Sequence, residues 1–174
     1  NGLYFTRFQA INALETNLKT LMKNIEPFGP LGKISIGDMA CFQSHLMLWK
    51  KISEREKEPV LVLEDDAYIS NRGFELLNDI SWIPKDTKII KCERFGNKRH
   101  RVLLSPKIKS INGFKLYYLM SKHAGTGGYI ITPNGAKYLV ENNDIAHCFS
   151  IGSTSSKSAY QMGFNSKVAY RSIF

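Results

Sequence analysis

The apolar positions of the chain fall into blocks of different period, and the blocks predict its elements. Ile11, Leu14, Leu18, Leu21, Met22 and Ile25 recur at helical spacing, and "EPFGPLG" ends that run with two prolines and two glycines. A second, longer helix follows, with Asp38 placed to cap it and Met39, Phe42, Leu46, Trp49 and Ile52 at steps of three and four. "SEREKEP" is polar and Pro59 stops it. The next four residues, "VLVL", are too few for a helix and read as a strand buried on both faces.

Downstream, "GFELLNDI" predicts a short helix, "KIIKC" a strand, and "RVLLS" and "FKLYYLM" two more strands, with Asn112-Gly113 as turn chemistry before the last. "GGYIIT" is a further strand. Thr132-Pro133 then pairs an N-cap with proline at the first helical position and opens the helix "NGAKYLVENN". In the last thirty or so residues, "AYQMGF" reads as a helical turn and "SKVAYRSI" as a strand. Helix, buried strand, helix, several strands and a closing helix is an α/β order. In open α/β sheets, ligands collect at the C-terminal ends of strands.

Composition narrows the class. A chain of 174 residues, 43% hydrophobic, builds one core, so residues 1–174 are expected to form a single domain. Lys and Arg number 24 against 15 Asp and Glu, a formal charge of +9 that should attract nucleic acid, a phosphorylated sugar or an acidic membrane face. Cys41, Cys92 and Cys148 are scattered and odd in number, which points away from a disulfide framework or a zinc site and toward a reducing compartment. No apolar run approaches the roughly 18–20 residues of a membrane span, and no signal peptide is recognisable.

Against that positive charge, the buried strand runs straight into Glu64, Asp65 and Asp66. Strand alternation would point Glu64 and Asp66 to one side and Asp65 to the other. Two converging carboxylates repel unless a cation or hydrogen-bond donors hold them ionised. An oxygen-only ligand set favours Mg2+ or Mn2+, whose remaining positions would take phosphate oxygens. The plainer alternative is a solvated turn, where Asp is common.

The order "GDMACFQSHLMLWKKI", a polar spacer, then "PVLVLEDDA" resembles glycosyltransferase family 25, the group of bacterial lipooligosaccharide and collagen-type galactosyltransferases. The matching positions are Gly37, Asp38, Cys41, Ser44, His45 and Glu64 to Asp66, joined by "FTRFQAINA" and "HAGTGGYIITPNGAKYLVE". The resemblance covers most of residues 4–143. It implies a GT-A type, Rossmann-like nucleotide-sugar domain and an inverting transfer of galactose, or else glucose, from a UDP-sugar to a lipooligosaccharide core acceptor. On that resemblance Asp66 binds Mn2+ or Mg2+, Glu64 reaches the metal or the ribose, and Asp65 orients its neighbours or the donor sugar. The family's first strand has no counterpart before Asn1, so the domain is expected to lack it.

The remaining candidates are less pointed. His45 follows Ser44 on the second helix, one turn after Cys41, so that Cys41, His45 and Leu48 share a face. By residue type alone His45 is a packed histidine; the resemblance makes it, with Ser44, a residue lining the donor site. Inversion needs a base for the acceptor hydroxyl. Asp144 in "NDIAH" is the candidate, with His147 and Glu93 in reserve. Gly125, Gly127 and Gly128 let backbone approach a ligand, and Tyr129 is either a sugar platform or core. Arg94, Lys98, Arg99, His100 and Arg101 could meet acceptor phosphates or form a solvated face. The implied setting is the cytoplasmic face of a bacterial inner membrane, with peripheral contact to anionic lipid and no nucleic acid. A metal-dependent nuclease and a non-catalytic binding remnant are the rival readings.

Overall fold

One helix organises the fold. In a computed structural model, which describes residues 5–22, 25, 28–29, 32–93, 103–120, 125–142 and 159–163, helix α2 spans Ile36–Arg55. The sequence placed Asp38 as its cap. The cap is instead Ser35, whose hydroxyl accepts from the Asp38 amide at 3.0 Å, while Asp38 Oδ2 accepts from the Ser35 amide at 3.1 Å. Reciprocal bonding of this kind satisfies two of the orphan donors of a helix start. Met39, Phe42, Leu46, Trp49 and Ile52 are buried along one stripe, as their spacing requires, and each contributes about 1.5–3 kcal/mol by leaving water.

The helix expected from Ile11 to Ile25 does not form at that length. Only α1, Leu18–Leu21, is helical, while Leu14 is exposed. Asparagines explain the loss. The Asn12 side chain accepts from the Leu14 amide at 3.0 Å, the Thr16 hydroxyl bonds the Asn12 carbonyl, and Asn17 caps α1 through the Lys19 amide at 2.8 Å. Such local side-chain bonds hold the backbone in turns that compete with a helix. Between α1 and α2, Phe28–Gly29 (β1) and Gly32–Lys33 (β2) form a minimal antiparallel hairpin.

The main sheet contains Val60–Leu63 (β3), Ile89–Lys91 (β4), Lys109–Ile111 (β5), Phe114–Tyr118 (β6), Gly128–Ile131 (β7) and Ala159–Gly163 (β8), in the order β3-β7-β4-β8-β6-β5. The α/β composition holds, but the sheet is predominantly antiparallel, with β4 and β8 the one parallel neighbour pair among the described residues. "AYQMGF" was expected to turn helically; its first five residues are instead β8, an interior strand hydrogen-bonded to both β4 and β6. Pairing on both sides overrides the weak local preference. Asn112 and Gly113 take positive φ values of 47° and 82°, the two-residue turn their chemistry predicted. The partner they connect to β6 is β5 rather than "RVLLS", whose described part makes a single bridge between Leu104 and Leu119.

The sheet separates two apolar layers. Val62, Ile89, Tyr129 and Ile131 face α2 and the helix Pro133–Glu141 (α4), whose Thr132 cap and leading proline are as predicted. Ile90, Ile130 and Leu116 face the other way, toward Leu76 of α3 (Asn71–Leu77) and Trp82. Among the described residues no helix is long and apolar enough to cross a membrane.

Helix α4 approaches β4 through Gly135, where an added Cβ would collide with the Lys88 carbonyl, a backbone group that cannot rotate away. Gly135→Ala should therefore cost about 1–3 kcal/mol by overpacking, despite alanine's better helix propensity. A thermal melt showing no loss of stability would contradict this packing.

Candidate functional site

Antiparallel pairing of β7 with both β3 and β4 makes those two strands run in the same direction, so their C-terminal ends flank the start of β7. Glu64 follows β3 and Glu93 follows β4 by two residues. The Glu64 amide donates to the Gly127 carbonyl at 3.0 Å and the Cys92 amide to the Gly128 carbonyl at 2.9 Å. A side chain at Gly127 would place its Cβ 2.6 Å from Glu93 Oε2 and 3.9 Å from Glu64 Oε2. A larger residue here would have to displace the Glu93 carboxylate; the group that comes close is the protein's own side chain, where the sequence pointed to a ligand.

The three acids do not continue the strand. The Ala67 amide donates to the Glu64 carbonyl at 3.1 Å, so residues 64–67 form a turn, and strand alternation ends at Leu63. Glu64 points inward and is half-buried, whereas Asp65 and Asp66 are exposed. All three line a cleft of about 380 Å3 together with Cys41, Ser44 and His45 from α2 and the segment 7–11. No Lys or Arg among the described residues is ion-paired with Asp65 or Asp66. The carboxylates of Asp65 and Asp66 are hard oxygen donors at the wall of the cleft, of the kind that Mg2+ or Mn2+ takes.

A buried polar network stands behind Glu64. His45 Nδ1 lies 2.7 Å from the Tyr129 hydroxyl, to which Trp49 Nε1 donates at 2.8 Å, and His45 Nε2 lies 3.4 Å from Glu64 Oε1. The Thr126 hydroxyl also donates to Glu64 Oε1, and the Cys41 thiol approaches it at 3.7 Å. Ligand atoms of Cys41, His45 and Glu64 fall within 4.8 Å of one another, so the tightest cluster of coordinating groups among the described residues is not the carboxylate pair that the sequence suggested. Burial raises the affinity of Glu64 for a proton, but the hydrogen bonds from His45 and Thr126 outweigh it and hold the carboxyl below its ordinary range.

Several expectations change here. Tyr129 has no accessible surface and cannot be a sugar platform; it acts through its hydroxyl. The Ser44 hydroxyl donates to the Ala40 carbonyl at 2.7 Å and accepts from the Ile11 amide at 2.9 Å, so it fastens the segment over the cleft to α2. His45 is buried, as a packed histidine, yet it touches the site. Asp144, His147, Arg94, Lys98, Arg99, His100 and Arg101 lie outside the described residues.

Sequence reasoning missed Thr126 and the Lys91–Glu93 pair. Lys91 is fully buried in β4, with Nζ 2.8 Å from Glu93 Oε1, 2.5 Å from the Gly125 carbonyl and 5.5 Å from the centre of the Tyr129 ring. The signal was present in "KIIKCE": a lysine inside a strand core is expensive unless paired, and a glutamate two residues on is on the same face.

A family model described as glycosyltransferase family 25 (LPS biosynthesis protein) matches residues 1–148. Lipooligosaccharide biosynthesis protein lic2B of Haemophilus influenzae is 31% identical over 140 residues, 76% of this chain and 52% of the relative. Lacto-N-neotetraose biosynthesis glycosyltransferase LgtE of Neisseria meningitidis serogroup B is 26% identical over 145 residues, 80% of this chain and 51% of the relative. Procollagen galactosyltransferase 1-B of Xenopus laevis is 30% identical over 146 residues, 80% of this chain and 23% of the relative. The chain thus spans about half the length of these bacterial relatives.

Burial pushes the Cys92 thiol up to about 12, and burial with the Glu64 charge raises Cys41. Thiolate is the reactive form. At pH 8, alkylation followed by peptide mass spectrometry should modify Cys92 only after unfolding; rapid native labelling would mean that the β4 end is open.

Proposed function

The chain belongs to glycosyltransferase family 25, and on that premise we propose that it is an inverting hexosyltransferase of the GT-A type. It moves galactose, or else glucose, from a UDP-sugar to a lipooligosaccharide core acceptor. The observation that carries this reading is the cleft at the end of β3, lined by three consecutive acids, with Asp65 and Asp66 exposed and Glu64 half-buried behind them, in a chain of net charge +9.

Asp66, helped by Glu64, would hold Mn2+ or Mg2+, and Asp65 beside them would orient the donor. Bound there, the cation supplies Lewis-acid stabilisation of the departing diphosphate. The protein's own contribution is placement. Glu64 is held ionised by His45 and Thr126, so it is ready to accept hydrogen bonds or to ligate without first losing a proton. Helix α2 and the segment 7–11 form the wall of the cleft opposite the acids. A one-step inverting displacement needs a base on the face opposite the leaving diphosphate, and Asp144 is assigned that role. The basic surface would serve a phosphorylated acceptor and anionic lipid at the cytoplasmic face of the inner membrane.

Hydrolysis of a panel of UDP-sugars, with and without Mn2+, tests the reading directly. Turnover should favour UDP-galactose or UDP-glucose and stop with chelator; metal-independent turnover would remove the cation. Asp66→Asn should nearly abolish Mn2+-dependent UDP binding while leaving the melting temperature intact or raised, since it relieves repulsion among neighbouring acids. Unchanged UDP affinity would take Asp66 out of the metal site.

For the base, Asp144→Asn should keep UDP and metal binding while transfer falls by roughly a hundred- to ten-thousand-fold. Near-normal transfer at saturating donor and acceptor would move the role to Glu93 or His147.

A further inference from the structure

Among the described residues the buried Tyr129 hydroxyl has two hydrogen-bonding neighbours, and their chemistry orders the protons around it. Trp49 Nε1 carries a hydrogen and can only donate, so at 2.8 Å it gives that hydrogen to the Tyr129 oxygen. The hydroxyl proton then needs an acceptor in a place without accessible surface, and His45 Nδ1 faces it at 2.7 Å. Accepting at Nδ1 puts the hydrogen of the neutral imidazole on Nε2, the nitrogen 3.4 Å from Glu64 Oε1. With the opposite tautomer, or with an imidazolium, the Tyr129 oxygen would receive two donors and its own proton would have no acceptor among the described residues. Buried groups left in that state are rare.

The consequence falls on Glu64. Its Oε1 receives Nε2–H of His45, the Thr126 hydroxyl and the Cys41 thiol, while no donor among the described residues is directed at Oε2. Oε2 lies toward Gly127, on the side where that residue has no side chain.

We infer that Tyr129 and His45 are positioning residues: they hold His45 as the Nε2–H tautomer, dedicate Glu64 Oε1 to the protein, and leave Oε2 as the single oxygen that Glu64 presents to a ligand. Chelation of a cation through both Glu64 oxygens would break the bonds at Oε1, so Glu64 engages a cation or a sugar-nucleotide hydroxyl through one oxygen. The ligand in this statement rests on the proposed function; the proton order does not.

The test is imidazole nitrogen NMR on the whole protein at neutral pH, with the His45 signals assigned by their loss in His45→Gln. The expected result is a proton on Nε2 and none on Nδ1. In Tyr129→Phe, which keeps the ring and removes the hydroxyl, the Nδ1–H form should appear, and affinity for UDP with Mn2+ should fall about tenfold, as for loss of a group that orients a ligating residue. Ile52→Val, a core change of the same helix at a residue with no hydrogen bond or ring contact to the network, should lower the melting temperature without altering tautomer or affinity. An Nδ1–H or imidazolium His45 in the unaltered protein overturns the inference, whatever becomes of the variants. So does an equal loss of affinity in Tyr129→Phe and Ile52→Val, which would make the hydroxyl merely structural. Absence of UDP binding by the unaltered protein would count against the proposed function and leave the tautomer result to decide the proton order.

Discussion

The Tyr129 hydroxyl is the point at which helix α2 and the central sheet agree on register. It sits in an apolar layer with no access to water, and it is bonded to Trp49 and His45, which are four residues and hence one turn apart on α2. A slide or rotation of the helix that kept the apolar stripe buried but broke these bonds would leave buried donors unmatched, at about 1–3 kcal/mol each. Apolar packing tolerates small shifts; this arrangement does not. Cys41, one further turn toward the helix start, is thereby placed over Glu64, and the cleft inherits its wall from the same constraint.

A second constraint comes from the sheet. Because β3 and β4 flank β7 in the same direction, two glutamates arrive on either side of Gly127. Their charges are managed differently. Glu93 is tied to a fully buried lysine, an arrangement in which neither partner could be buried alone without large cost. Glu64 is held by a histidine, a hydroxyl and a thiol. Asp65 and Asp66 stand in solvent at the cleft, where water screens their repulsion. Acids at one end of the sheet thus occupy distinct environments, one beside a buried lysine, one held by hydrogen bonds and two in solvent.

Helix α2, strand β3, the Asn112-Gly113 turn and the capped start of α4 were all legible in the sequence, because each depends on contacts within a few residues: a period of three and four, a four-residue apolar run, a pair able to take positive φ, a threonine before proline. The carboxylates at the end of β3 were legible for the same reason. The predicted helix over residues 11–25 failed on asparagines whose side chains bond the local backbone, a competition that the apolar period does not record.

Residues near one another along the chain thus specify the local elements and the acidic strand end within a basic chain. The tertiary structure decided which groups meet. That "AYQMGF" is a strand, that Lys91 neutralises Glu93, that Gly135 must lack a side chain beneath the Lys88 carbonyl, and that Tyr129 works through its oxygen while its ring is buried all depend on partners distant along the chain. Local periodicity records which face of an element is apolar. It does not record which polar atom on that face will find a partner across the core, and at this site that pairing orients the carboxylate.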